Sequence, residues 1–188
     1  MTIIERATGW QGVGILPWFP QARFLPAEDI LDIRGKSGDA RDGAPVRIAV
    51  PVLRRIANFD DLDPLAGETD VDVTLVEAGD VIPADADLIL LPGSKSTISD
   101  LTFLRDQGWD IDIAAHLRRG GMVMGLCGGY QMLGTKLDDP DGVEGPAGDT
   151  LGLGHLRVET VLAGDKRLTQ VTAHANAFDV PVRGYEIH

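Results

Sequence analysis

The sequence predicts an α/β fold: an open, mostly parallel sheet with helices on both faces, preceded by a short N-terminal extension. Two observations carry this. From Val46 onward, strand-like runs alternate with helix-like stretches, the pattern of strands joined by helical crossovers. The first of these runs, VRIAVPVL, is largely apolar, as expected of a strand covered on both faces.

Residues 1–45 do not read as a complete domain. GVGILPWF (12–19) suggests a short strand entering a proline-marked loop, LPAEDILDI (25–33) a short helix, and GKSGDARDGAP (35–45) a linker. The main domain is therefore placed at 46–188. Its first three strands are expected at 46–53, 71–77 and 86–93. DIDIAAHLRRG (110–120) carries Ile111, Ile113, Ala114 and Leu117 at broadly helical spacing, with Gly120 as the stop. GMVMGLC (121–127) is the next strand, and GYQMLGTKL opens a helix directly after it. The glycine-rich stretch 138–154 reads as loop. HLRVETVLAG and QVTAHANAF then alternate like antiparallel β-structure before the final VRGYEIH.

Composition narrows the function classes. The 29 acidic and 17 basic side chains give a formal net charge of −12, which repels phosphate backbones and anionic lipid, so neither nucleic acid nor membrane is an expected partner. No apolar run reaches the roughly 20 residues that span a bilayer. The single cysteine cannot form an internal disulfide, so a reducing compartment, the cytoplasm, is expected.

That cysteine, Cys127, lies in GLCGG between a strand and a helix. A lone cysteine commonly fills a core, but this context favours a nucleophile. A nucleophile on a sharp strand-to-helix turn adopts strained backbone angles, and neighbours without a Cβ relieve the crowding. Gly125 and Gly129 are the expected supports of the turn. The turn would hold the sulfur at the carboxyl edge of the sheet, where open α/β folds bind ligands. Amides of the following helical turn would face the sulfur and stabilise an oxyanion. LILLPGSKST (88–97) is a second strand ending in a glycine turn, so Gly93 and Gly128 are the candidate oxyanion donors. In GSKST, Ser94 or Ser96 is expected to cap a helix, and the P-loop spacing is absent. Nothing in the pattern asks for a metal or cofactor in this chain. Of the histidines, His116 is expected on a solvated helix face beside Arg118 and Arg119, while His155 and His174 read as ordinary surface or core residues.

PGSKST, GLCGGYQMLG and GYEIH, in this order, resemble the class I, triad-type glutamine amidotransferases, and among them the branch serving corrinoid side-chain amidation. RIANFDDLDPL (55–65) is similar to a segment of the cobyric acid synthase family, and GVGILPWFPQARFLPAEDIL resembles the end of that family's ATP-dependent domain. The resemblance implies a flavodoxin-like sheet and a Cys127 thiolate that attacks the glutamine carboxamide and releases ammonia. Water then hydrolyses the thioester. A synthetase domain using ATP and Mg would pass the ammonia to the b, d, e and g carboxylates of a corrinoid. The resemblance places that synthetase domain before residue 1, with residues 1–45 as its tail and linker. It also puts His188 near the site without making it the base, because the family's catalytic histidine lies in a later G-T-Y-x-H-G segment that nothing here matches. The chain is accordingly expected to be a piece of a longer enzyme, with little or no glutaminase activity alone. The alternatives are the amidotransferase subunit of a peptidoglycan-amidating ligase and a catalytically silent module of the same fold.

Overall fold

The computed structural model describes residues 2–14, 46–164 and 168–187. The expected helix at 25–33, the linker at 35–45, most of the strand at 12–19 and His188 lie outside them. The described N-terminal residues form helix α1 (Thr2–Thr8).

The centre is a parallel sheet of β1 (Val46–Pro51), β3 (Val71–Val76), β4 (Leu88–Leu91) and β6 (Met122–Gly125) in the order β3-β1-β4-β6. All four expected strands are present, within a few residues of their expected ends. The second strand lies on one side of the first, and the third and fourth on the other. The order therefore reverses beside β1, as in flavodoxin-like sheets. Ile48 faces Leu88, and Leu91 faces Gly125, so β4 and β6 end level with each other. The helices α3 (Thr97–Asp106), α4 (Trp109–Arg118) and α5 (Gly128–Leu133) connect and cover the sheet.

The core runs through β1, β4 and these helices. Val50, Leu53, Ile89, Leu91, Leu101, Leu104 and Trp109 are all fully enclosed. Trp109 meets Phe103 edge-on at 5.6 Å, and its indole N–H donates to Asp80 O at 2.8 Å, so its one polar atom is satisfied. The Arg54 guanidinium lies 4.5 Å above the Phe103 ring. Between β1 and β3, β2 (Ile56–Ala57), a 3₁₀ turn (Phe59–Leu62) and α2 (Asp63–Gly67) bury Phe59 and Leu62. β2 pairs antiparallel with β5 (Gly93–Ser94).

Three expectations are corrected here. The helix after the cysteine ends at Leu133, not beyond it. Gly154 N–H bonds Gly134 O at 2.8 Å, and Lys136–Asp139 becomes strand β7, with Leu137 and Asp139 buried alternately. The expected loop 138–154 contains β8 (Gly148–Leu151), antiparallel to β7. The run HLRVETVLAG supplies β9 (Glu159–Val161), which pairs parallel with β7, not antiparallel. The 140–158 connection is long enough for the crossover that parallel pairing needs. The run QVTAHANAF does supply an antiparallel strand, β10 (Leu168–Ala175), but its partner is the chain's final strand, β11 (Val180–Ile187).

Candidate active site

Cys127 stands where β6 turns into α5, with φ 47° and ψ −111°. This lies outside the regions open to an ordinary L-residue and is strained by about 1–3 kcal/mol. Such strain persists only where its surroundings enforce it. Leu126 N–H bonds Leu91 O at 2.9 Å, which extends the β4–β6 ladder up to the turn, and Gly129 N–H bonds Leu126 O at 2.8 Å. The thiol is exposed. The turn therefore lifts the side chain out of the sheet edge and into solvent.

Two of the expected glycines are required by close approach. A Cβ on Gly125 would overlap the Gly129 backbone, and one on Gly129 would lie 2.7 Å from Pro92 O. β6, α5 and the end of β4 can meet only where no side chain intervenes. Gly128 touches the neighbouring strand end, since a Cβ there would lie 3.0 Å from Ser94 N. Gly93 is buried and pairs with Ala57. Cys127, Gly125, Gly128, Gly129 and the Gly93–Ser94 segment are thus brought together at the carboxyl ends of β4 and β6.

The described histidines are not part of this cluster. His116 is only 2% exposed, which corrects its expected place on a solvated face. Its Nε2 lies 3.0 Å from Met122 O, at the start of β6, while Cys127 follows the end of that strand, roughly 15 Å along it. Trp109, Ile113 and His116 form the buried stripe of α4, whereas Ile111 is exposed. The spacing i, i+4, i+7 was present in the sequence and could have revealed this. The His155 amide bonds Leu133 O, at the far end of α5 from Cys127. His174 lies on the hairpin, 3.4 Å from Asp179.

A family model described as the CobB/CobQ-like glutamine amidotransferase domain matches residues 47–188. The chain belongs to that family. Among curated relatives named cobyric acid synthase, it is 61% identical to one from Rhodobacter capsulatus over 186 residues. It is 58% identical to one from Paracoccus denitrificans. In both cases 99% of this chain and 38% of the relative are covered, so the chain spans a little over a third of their length. A solved structure titled PurLQS from Thermotoga maritima overlays with a TM-score of 0.50 at 20% identity, covering 77% of this chain and 66% of that one. This likeness concerns the fold.

In this CobB/CobQ-like domain, the residues that shape the rim were not legible as site residues. Ser96 occupies the N-cap position of α3 but makes no capping bond with its side chain. The helix amide of Ile98 is instead capped by Glu144 Oε2 at 2.9 Å. Glu144 is held by Asp139, whose carboxylate accepts the N–H groups of Val143 and Glu144 at 2.7 and 2.8 Å. Ser94, the other expected cap, accepts the Ser96 N–H at 3.0 Å and donates to Asp100 at 2.6 Å. Thr97 Oγ1 donates to Gln131 Oε1 at 3.3 Å, tying α3 to α5 one turn beyond the cysteine. Glu144 and Ile98 lie 46 residues apart and Thr97 and Gln131 lie 34 apart, too far for a local motif to pair them.

Proposed function

We propose that this domain hydrolyses glutamine at Cys127 and supplies the ammonia to a synthetase that amidates corrinoid carboxylates, as the glutamine-using part of a cobyric acid synthase. The observation that carries this reading is the Cys127 turn: an exposed thiol on strained backbone between a parallel strand and a helix. The identity to relatives named cobyric acid synthase supports the substrate class.

In the proposed reaction, the sulfur of Cys127 bonds to the carboxamide carbon of glutamine and the carbonyl oxygen takes up negative charge. Gly128 is the first residue of α5, so its N–H has no acceptor within the helix and can receive that charge. The Gly93–Ser94 segment, in which Gly93 pairs with Ala57 and Ser94 N lies beside Gly128, is proposed to supply the second donor. Collapse of the intermediate breaks the C–N bond and releases ammonia, and water then converts the thioester to glutamate. A base must take the thiol proton and return it to the departing nitrogen. Since His116, His155 and His174 are placed elsewhere, we assign that role to a group outside the described residues. ATP and Mg act in the synthetase domain, with the b, d, e and g side chains of the corrinoid as acceptors. The cytoplasm is the proposed location.

In the full-length enzyme, Cys127→Ala should abolish glutamine-driven amidation and leave ammonia-driven amidation intact. Undiminished glutamate release from glutamine in that variant would overturn the reading.

A further inference from the structure

Behind the site lies a buried carboxyl group that the reaction above does not use. Asp100 sits in the first turn of α3 with none of its surface exposed, and both strands of the β2–β5 ribbon are tied to it. Its Oδ2 accepts the Ser94 hydroxyl at 2.6 Å. The Arg55 backbone N–H lies 3.2 and 3.1 Å from its two oxygens. Arg55 leads into β2 and Ser94 ends β5, so one carboxyl group holds the two strands at the same end. With two residues per strand, the ribbon is too short to hold its own register. Apart from Asp100, that end is closed by Lys95 N–H donating to Arg55 O at 2.8 Å. On its other side the ribbon meets the nucleophile turn, with Ser94 N against Gly128.

We propose that Asp100 is a positioning residue for glutamine hydrolysis: through Ser94 and Arg55 it fixes the Gly93–Ser94 segment against Gly128, and so sets the spacing between the oxyanion-binding amides and the Cys127 sulfur. This rests on reading Cys127 as the nucleophile. The chemistry of the cluster favours a carboxyl group over its nearest substitutes. Every neighbour that bonds Asp100 is a donor, which an ionised carboxylate can satisfy with acceptors alone. An asparagine would turn an NH₂ group toward at least one of those donors. An alanine would leave the Ser94 hydroxyl and Arg55 N–H without acceptors. Either change lets the segment shift by a fraction of an ångström. Developing charge in the transition state is more sensitive to such a shift than glutamine binding is.

The test compares Asp100→Asn and Ser94→Ala in the full-length enzyme. For Asp100→Asn, kcat for glutamine hydrolysis should fall about 10- to 100-fold, while KM for glutamine stays within about threefold and ammonia-driven amidation is retained. Ser94→Ala, which keeps the buried carboxyl, should show the same split to a smaller degree, and it decides the matter if Asp100→Asn does not fold. A kcat within about twofold of wild type, or a parallel loss of ammonia-driven amidation, would overturn the positioning role. Glutamine turnover that survives Cys127→Ala would instead remove the reading on which the proposal stands.

Discussion

The imidazole of His116 packs directly over Gly121, with its Nε2 3.0 Å from Met122 O. A Cβ on Gly121 would overlap three atoms of the ring. The helix that precedes the nucleophile strand and the first residue of that strand are therefore locked together by one buried histidine and one missing side chain. Gly121→Ala should destabilise the domain by about 1–3 kcal/mol, the usual cost of forcing atoms into a packed site. Urea unfolding followed by tryptophan fluorescence would measure it, since Trp109 lies on the same buried stripe of α4.

Gly129 meets the end of β4 so closely that a Cβ would collide with Leu91 and Pro92 backbone atoms. Gly129→Ala should push α5 away from β4 and release the strained backbone at Cys127. Glutamine hydrolysis by the full-length enzyme is expected to fall by about 100-fold or more, with ammonia-driven amidation preserved. A stopped glutamate-release assay on both variants of the reaction would show it.

Glu144 caps α3 from a loop 46 residues away. Glu144→Ala should cost about 0.5–2 kcal/mol, the range for loss of a helix N-cap, and Glu144→Gln should recover much of that. Hydrogen exchange read at Ile98 would report the loss locally, as faster exchange in the alanine variant than in the glutamine variant.

Burial raises the Asp100 carboxyl above the ordinary aspartate value of 3.8, outweighing the hydrogen bonds from Ser94 and from the Arg55 and Arg54 backbone and the charge of Arg55, all of which lower it. The folded state thus binds this proton more tightly than the unfolded chain does. The associated stabilisation is complete below 3.8 and is lost as pH rises through the folded value. In Asp100→Asn this term is absent. The stability of wild type relative to the variant should therefore be greatest near pH 3 and shrink toward neutrality, as measured by paired urea titrations across that range.

How much of this was legible before folding differs from residue to residue. The four parallel strands announced themselves because β1, β4 and β6 are short and largely apolar, and β3 alternates Val71, Val73 and Leu75 with Asp72 and Thr74, both of them strand patterns. The cysteine turn was partly legible for a related reason: Gly125 meets the backbone of Gly129 and Tyr130 within the same few residues, whereas Gly129 is demanded by Leu91 and Pro92 at the end of β4. Lys136–Asp139 was misread because local pattern could not show that two partners, β8 and β9, flank it.

Local chemistry, encoded in consecutive residues, determined the sheet, its carboxyl edge and the strained place of Cys127. Only the tertiary structure decided what Asp100, Glu144 and His116 do. Their partners are Arg55 and Ser94, Ile98, and the backbone of Gly121 and Met122. Arg55 and Ile98 are brought near by chain closure across other elements, while Ser94 and Met122 are six residues from Asp100 and His116 but on the far side of a turn. A buried carboxyl or imidazole carries no sequence mark of the donor or carbonyl that will satisfy it, because that partner is chosen by packing.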